Sequence, residues 1–260
     1  MEIIISDTYE QMSKAAAKAV ADLLNSKPNA VLGLATGSTP LGVYKELVRL
    51  HKNEGLDFSQ VTSFNLDEYV GLTKDHPQSY HYFMHENLFK HINIPVQNTY
   101  IPSGTTNNYT AFCAWYERRI EECGGIDLQL LGVGSDGHIA FNEPSSSLGS
   151  RTRIKTLAKP TIQDNARFFE KIEDVPIYAI TMGVGTILEA RKIFFLANGT
   201  NKADAVAKAI EGPVTSMITA SALQLHPDVI AYIDRPAAGR LAMIDYYDWI
   251  QAKSIGAPQQ

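Results

Sequence analysis

The stretch Gly132–Pro144, which reads GVGSDGHIAFNEP, concentrates more reactive side chains than any other part of the sequence. Asp136, His138 and Glu143 place two carboxylates and a histidine within eight residues. Such a group can bind a metal ion or move protons near neutral pH. Its first six residues also fit the pattern G-x-G-x-x-G of dinucleotide-binding loops. Three kinds of chemistry therefore have to be compared.

The residues that follow the glycines disfavour a dinucleotide site. Such a site needs a helix directly after the loop and an acidic residue about 20 positions further on. Here Gly137 is followed by HIAFNEP, which is a poor helix start, and the basic run RTRIK at 151–155 stands where the acid is expected. We therefore predict that no nucleotide cofactor binds.

Metal binding and proton transfer both remain compatible with the loop. His81 and His85 add two histidines four residues apart on a predicted helix, but HYFMHE is not the metalloprotease pattern H-E-x-x-H. Carboxylates on both sides of His138 would favour its protonated form and fix its tautomer. The residues alone favour proton chemistry, and they leave open a metal site or a purely structural loop.

Three further loops carry polar groups directly after apolar runs. GLATGSTP allows a close backbone approach at Gly37 and opens a helix, which is typical of an anion site or of a simple tight turn. NLDEYVG contains Asp67 and Glu68, whose side chains must diverge, so one at most faces a ligand. Taken alone, this pair favours a solvated loop, with a general base as the alternative. ANGTNK adds Lys202 as a candidate phosphate ligand, and Arg167 in NARFF, outside these three loops, is a second.

The elements that position these loops alternate along the chain. Apolar runs predict strands, and runs with helical spacing predict helices between them. The predicted strands are 2–5, 30–37, 61–66, 126–134, 177–183, 192–199 and 229–234, and the predicted helices include 79–92, 185–190 and 202–212. Asp7 and Glu10 are predicted to form a capping box, and Pro40 to start a helix. This order predicts a three-layer α/β/α fold with a mostly parallel, Rossmann-like sheet and ligands at the carboxyl ends of the strands.

Composition restricts the class of protein. The chain has 260 residues, 45% apolar and 20% charged, with a net charge of −5 and no basic run long enough for nucleic acid or an anionic membrane. We expect one domain over residues 1–245 and a polar tail over 246–260. Cys113 and Cys123 lie ten residues apart on a predicted helix, about 15 Å, which is too far for a disulfide if the helix forms. Reduced thiols, no leader segment and no membrane span predict a cytoplasmic location.

The motifs together resemble the glucosamine-6-phosphate deaminase family, also called glucosamine-6-phosphate isomerase. The resemblance rests on LATGSTP, FNLDEYVGL, LLGVGSDGHIAFNEP, SRTRIKTL, NARFF and the lysine after ANGTN, and covers about Val31 to Asp234. It implies conversion of glucosamine 6-phosphate and water to fructose 6-phosphate and ammonia, without a metal or other cofactor. One departure is Ser38, which stands where many members have a second glycine.

The resemblance also implies roles for individual residues. Asp67 resembles the base that moves a proton between C2 and C1, and His138 resembles the acid/base that opens the sugar ring. Asp136 and Glu143 resemble the carboxylates beside that histidine. The substrate phosphate would be bound by Gly37, Ser38, Thr39, Arg167 and Lys202.

Two questions stay open at this stage. Ser146, Arg153 and Lys155 match positions at which some hexameric members bind N-acetylglucosamine 6-phosphate as an activator, so regulation and a homo-oligomer are hypotheses. The alternative activities are a galactosamine-6-phosphate isomerase, which would differ at C4, and a 6-phosphogluconolactonase, which needs no C2 base. A sugar-phosphate-sensing regulator is disfavoured because the chain has no basic helix for DNA.

Overall fold

A seven-stranded parallel sheet forms the centre of the fold in the computed structural model, which describes residues 1–253. In spatial order, its strands are β1 (Glu2–Ser6), β10 (Val229–Asp234), β9 (Lys192–Ala197), β6 (Leu128–Leu131), β2 (Val31–Leu34), β3 (Thr62–Asn65) and β5 (Thr99–Tyr100). Every neighbouring pair is parallel. The predicted three-layer α/β/α class is confirmed.

Helices cover both faces of this sheet because its strands are apolar on both sides. On β1, Ile3 and Ile5 belong to one core, whereas Ile4 packs against the other. One layer contains α1 (Tyr9–Ser26), α2 (Leu41–Glu54) and α3 (Tyr80–Asn87), and the other contains α4 (Tyr109–Glu122), α6 (Val184–Leu188) and α7 (Ala203–Ile210). Within residues 1–253, no helix is long and apolar enough to cross a membrane.

A second, three-stranded antiparallel sheet stands beside the main one, in the order β4 (Asp67–Tyr69), β8 (Tyr178–Thr181), β7 (Arg153–Thr156). The predicted strand 177–183 therefore lies in this small antiparallel sheet and not in the parallel one, and the predicted loop NLDEYVG contains a strand. The backbone N–H of Met182 donates to the carbonyl of Leu66 at 2.7 Å, which ties this sheet to the end of β3. The small sheet thus carries Asp67 to the rim where the parallel strands end.

Two helix starts differ from their predictions. Thr8, not Asp7, is the N-cap of α1, and Thr8 and Gln11 form the reciprocal capping box. Pro40 is itself the N-cap of α2 and not its first helical residue. Both changes move a boundary by one residue and leave the order of elements unchanged.

The chain's last described element is α8 (Ile244–Lys253), which packs on the edge strand β1. The Gln251 side chain accepts from the N–H of Ile5 and donates to its carbonyl, at 2.8 and 3.2 Å. The first part of the predicted tail is therefore helical and attached, and residues 254–260 lie outside the described residues. A single domain over 1–245 stays a prediction. Cys113 and Cys123 are both free thiols, as predicted.

Candidate active site

A cavity of about 360 Å³ lies at the carboxyl ends of the central strands. Its wall includes residues from all four predicted loops. Of the predicted site residues, Gly37, Ser38, Thr39, Asp67, His138, Arg167 and Lys202 line it. Asp136 and Glu143 are not among the lining residues, and their carboxylates lie near Nδ1 of His138. The convergence predicted from the alternating pattern is present in this fold.

One end of the cavity presents hydrogen-bond donors and cations. Gly37 has φ +106°, a conformation that favours glycine, and it turns the chain from β2 towards α2. Among residues 1–253, no hydrogen bond uses the backbone N–H of Gly37, Ser38 or Thr39. The Tyr9 hydroxyl donates to the carbonyl oxygens of Ser38 and Thr39 at 3.1 and 3.0 Å, which supports the loop from behind. Free N–H groups in a rigid turn suit an anion.

Lys202 and Arg167 supply the positive charge at this end. Burial lowers the pKa of Lys202 from its usual value, Asp164 and Asp136 oppose that shift, and Arg167 adds to it. The Thr39 hydroxyl donates to Asn198 Oδ1 at 2.7 Å, so the side chain of Thr39 is already occupied. Asn198 also lines the cavity and was not predicted, although it stands in the ANGTNK motif. A dianionic phosphate would restore the charge balance around Lys202.

The opposite wall holds the histidine and its carboxylates. The ring Nδ1 of His138 lies 2.7 Å from Asp136 Oδ1 and 3.8 Å from Glu143 Oε2. Asp136 Oδ1 also accepts the backbone N–H of His138 at 3.1 Å. Burial alone would raise the pKa of Asp136, but the neighbouring His138 outweighs it and holds that pKa below its usual value. Nδ1 therefore faces two acids, while the histidine itself borders the cavity.

Glu143 connects this histidine to the segment that carries Arg167. Its side chain is 6% exposed, and Oε1 accepts the N–H of Ala158 at 3.0 Å. Ala158 is the N-cap of α5 (Lys159–Asn165), which leads directly to Arg167. Asp164 on α5 accepts from the Ser135 hydroxyl at 2.9 Å, which gives a second connection across the mouth of the cavity. The wall that contains His138 and the cationic end of the cavity are thus joined by two carboxylates.

Unusual backbone conformations shape the loop around Glu143. Ala140 has φ +49° and Ser145 has φ +73°, both in the left-handed region that non-glycine residues avoid. The surrounding contacts hold them there: the N–H of Ser145 donates to the carbonyl of Ser216, and the Thr219 hydroxyl donates to the carbonyl of Asn142. Left-handed residues of this kind gather at functional sites because the fold can support their strain.

Asp67 is the most perturbed acid of the cavity. It is 6% exposed, and burial, followed by the charge of the adjacent Glu68, raises its pKa from 3.8 to about 8. A carboxyl group with that pKa is a good proton acceptor at mildly alkaline pH. The alternative of a solvated loop acid is wrong, because β4 places Asp67 in the wall and Glu68 behind it.

An aromatic surface that sequence patterns did not indicate adjoins Asp67. Tyr69, Tyr80, Phe141 and Phe169 pack together, with the Tyr80 and Phe141 rings stacked at 6.1 Å. Aromatic walls of this kind exclude water and give a sugar ring an apolar face to rest on. The signal was present as the separated aromatics of DEY, SYHYF, AFN and RFF, but only the fold brings them together.

The three candidate regulatory residues lie outside the cavity lining. Ser146 is buried and its hydroxyl has no hydrogen-bond partner among residues 1–253. Arg153 is partly buried and donates to Asn142 Oδ1 at 2.8 Å, so it supports the active-site loop from behind. Lys155 lies two residues further along β7 and is partly exposed.

Asp136, His138 and Glu143 also have metal-ligand types, and one ligand atom from each lies within 4.8 Å of the others. They form the only such group among the described residues. The predicted pair His81 and His85 does not form one, and each of these histidines contacts a single glutamate, Glu68 and Glu86 respectively. Asp136 Oδ1 and Glu143 Oε1 already accept backbone N–H groups. Those contacts suit acids that hold a histidine, and a chelator test separates this arrangement from a metal site.

Comparisons with known proteins agree with the geometry. The family model for glucosamine-6-phosphate isomerases and 6-phosphogluconolactonases matches residues 6–230. The chain is 53% identical to a glucosamine-6-phosphate deaminase of Thermoanaerobacter pseudethanolicus, over 92% of this chain and 94% of that protein. It is 51% identical to a Hahella chejuensis protein of the same name, over 98% and 97%.

Solved structures give the same relationship. The structure of a monomeric glucosamine-6-phosphate deaminase matches with 47% identity and a TM-score of 0.91, over 92% of this chain and all of that one. A 6-phosphogluconolactonase from Trypanosoma brucei matches with 20% identity and a TM-score of 0.74, over 93% and 98%, and shows the fold alone.

Proposed function

The chain belongs to the family of glucosamine-6-phosphate isomerases and 6-phosphogluconolactonases, and we propose that it converts glucosamine 6-phosphate and water to fructose 6-phosphate and ammonia. One observation favours the deaminase activity over the other activities of this family. A buried carboxyl group with a raised pKa, Asp67, lines the same cavity as a histidine whose Nδ1 faces two carboxylates. Two separated acid/base groups beside an anion site suit isomerisation of a sugar phosphate.

Substrate binding begins at the phosphate. The N–H groups of Gly37, Ser38 and Thr39, together with Lys202 and Arg167, hold the dianion at one end of the cavity. Interactions with a group remote from the reaction keep the reacting carbons in register, so their binding energy contributes to catalysis.

Ring opening requires a proton to leave the hydroxyl on C1 and a proton to reach the ring oxygen O5. His138 carries out this exchange, because its ring borders the cavity while Nδ1 lies 2.7 Å from Asp136 Oδ1 and 3.8 Å from Glu143 Oε2. The two carboxylates fix the tautomer and stabilise the positive charge that the ring acquires. The product of this step is the open-chain aldehyde.

Isomerisation then moves a proton from C2 to C1. The Asp67 carboxylate removes the C2 proton, which is acidic because it lies next to the carbonyl, and returns a proton to C1. The carbonyl oxygen O1 gains a proton and the amino nitrogen gives one up, so that C1 becomes an alcohol carbon and the C2–N bond becomes an imine. Water then adds to C2 and ammonia leaves, which gives the 2-ketose. Atoms balance with one water consumed and one ammonia released.

The two alternative activities are less well supported. Lactone hydrolysis needs no carbon base, so it leaves the buried Asp67 without a role. A galactosamine 6-phosphate substrate would use the same groups and differ only at C4, and comparison of the two amino sugars as substrates decides between them. The experiment that tests the proposal is ammonia release from glucosamine 6-phosphate by the purified protein.

Ser146, Arg153 and Lys155 are the residues we propose to test for regulation. Arg153 supports the active-site loop through Asn142, so an anion bound at Arg153 would act on the loop that carries Glu143. Sigmoidal kinetics that become hyperbolic with N-acetylglucosamine 6-phosphate would support this proposal, and hyperbolic kinetics without a response would end it. A homo-oligomer and a cytoplasmic location also stay predictions.

A further inference from the structure

Glu68 is a fully buried acid next to the proposed base, and the reaction described above does not use it. Successive residues of a strand point to opposite faces, so Asp67 faces the cavity and Glu68 faces the start of α3. Glu68 Oε1 accepts the N–H groups of Tyr69 and Tyr80 at 2.8 and 3.0 Å. Its Oε2 accepts the N–H of His81 at 3.0 Å and lies 2.9 Å from the ring Nδ1 of His81.

The Asp67 carboxylate has no comparable support. Among residues 1–253, no hydrogen bond reaches its side chain, and the causes of its raised pKa are burial and the charge of Glu68. Its position therefore depends on the backbone of β4. That strand has three residues and pairs with β8 on one side. A base that must meet a single C–H bond needs its strand fixed from the other side as well.

We propose that Glu68 is a positioning residue for the C2 proton transfer, which holds the strand of Asp67 against the first turn of α3 and places a fixed negative charge behind the base. This inference rests on the proposed function. The contacts to Tyr80 and His81 fix where β4 stands, and the dipole of α3 favours a carboxylate at that point. The charge disfavours a second carboxylate beside it, which keeps Asp67 strongly basic.

Other titratable groups face this pair and have to be considered in any pH profile. Tyr69 on β4, Tyr80 and His81 on α3 and Tyr116 on α4 all lie close enough to interact with Asp67 or Glu68. Burial raises the pKa of all three tyrosines well above the neutral range. His81 contacts Glu68 directly, with its ring Nδ1 2.9 Å from Glu68 Oε2.

Two substitutions separate the effect of the Glu68 charge from the effect of its hydrogen bonds to the start of α3. Glu68→Gln keeps the length and an acceptor oxygen but removes the charge. The acidic limb of the pH profile of kcat/KM should then shift to lower pH by roughly half a pH unit or more, because loss of the neighbouring negative charge lowers the pKa of Asp67. Glu68→Asp keeps the charge but shortens the side chain by one methylene, so contact with α3 is lost. Glu68→Asp should lower kcat for C2 proton exchange about tenfold and leave KM nearly unchanged. The acidic limb of its pH profile should stay at the wild-type pH.

A matched control is Asp127→Asn. Asp127 is also a buried acid, but it pairs with Lys27 and Arg191 at the opposite end of the sheet. It should lower thermal stability without moving the pH limb or the exchange rate per folded molecule. An acid whose role is only structural would behave in this way.

The wild-type protein is measured first, for ammonia release from glucosamine 6-phosphate and C2 exchange in deuterated water. If it shows neither, the proposed function fails. If the wild type is active and folded Glu68→Gln retains the wild-type limb and exchange rate, the role of Glu68 is refuted. If Glu68→Gln does not fold, Glu68→Asp carries the test: a loss confined to kcat supports the proposal, and wild-type kcat overturns it.

Discussion

The His138 ring occupies the space that a side chain on Gly134 would need. A Cβ atom at Gly134 would lie 2.4 Å from Cε1 of the imidazole, and the N–H of Gly134 donates to the carbonyl of His138 at 2.8 Å. Gly137 has φ +90° and completes the turn between them. The glycines that imitate a dinucleotide pattern therefore have another purpose here. They let the loop fold back so closely that the His138 ring packs against the backbone of Gly134.

Gly134→Ala is expected to displace His138 while the fold is kept, because the clash is with a side chain and not with the sheet. We predict at least a tenfold loss of kcat, since a misplaced acid/base group loses most of its contribution. Gly149→Ala is the control, because an added Cβ there meets only Ser147 Oγ at 3.9 Å. Equal activities of the two variants would contradict a requirement for space at Gly134.

His138→Asn should separate ring opening from isomerisation. The variant loses the proton carrier but keeps a polar side chain beside Asp136. We expect about a hundredfold loss on the cyclic substrate and a much smaller loss on an analogue that cannot close its ring. Steady-state rates on both substrates measure the difference. Equal losses would remove ring opening from the roles of His138.

Above about pH 4, the buried carboxyl group of Asp67 is expected to lower the stability of the folded protein. Its pKa is about 8 in the folded protein against 3.8 for the free group, so folding favours the protonated form. The stability that this group contributes is complete below pH 4 and is lost as the pH rises to about 8. Asp67→Asn should therefore melt at a higher temperature than the wild type above pH 4, with a gap that widens up to about pH 8. Parallel melting curves over this range would show that Asp67 is not buried as a carboxylic acid.

Lys202→Met tests the phosphate end of the cavity. Loss of a charged hydrogen bond to phosphate should raise KM roughly tenfold to a hundredfold. Lys208→Met is the matched control, because Lys208 lies on the exposed side of α7, the helix that begins directly after Lys202. Inorganic phosphate should compete with substrate in the wild type and only weakly in Lys202→Met. Equal inhibition of both proteins would place the phosphate elsewhere.

The parallel sheet could be predicted because its strands are apolar on both faces. KIFFLA and VIAYID are each buried along nearly their whole length, so composition alone marks them as strands. The small sheet gives no such signal. Its strand β7 reads RIKT with alternating exposure, and β4 reads DEY, in which two buried acids imitate a polar loop. These acids are buried because distant segments cover them, which no local pattern records.

The residues of the candidate site also divide into those that the sequence could predict and those that it could not. Asp136, His138 and Glu143 could be predicted as a unit because they are close in sequence and chemically complementary. The role of Glu68 could not, because its partners Tyr80 and His81 lie more than ten residues away on a helix start. Thr39 was predicted as a phosphate ligand, yet its hydroxyl donates to Asn198, 159 residues further along the chain. Spacing identifies candidates within a loop, and tertiary contacts decide which atoms remain free.

The most direct test of the proposed function is ammonia release from glucosamine 6-phosphate by the purified protein, followed with and without a chelator. We predict equal amounts of ammonia and fructose 6-phosphate, a rate unaffected by the chelator, and no exchange of the C2 proton with solvent in folded Asp67→Asn. Galactosamine 6-phosphate and 6-phosphogluconolactone serve as comparison substrates and should react more slowly. An active wild type whose Asp67→Asn variant exchanges the C2 proton at the wild-type rate would remove Asp67 as the base. A wild type that releases no ammonia from glucosamine 6-phosphate would contradict the central claim.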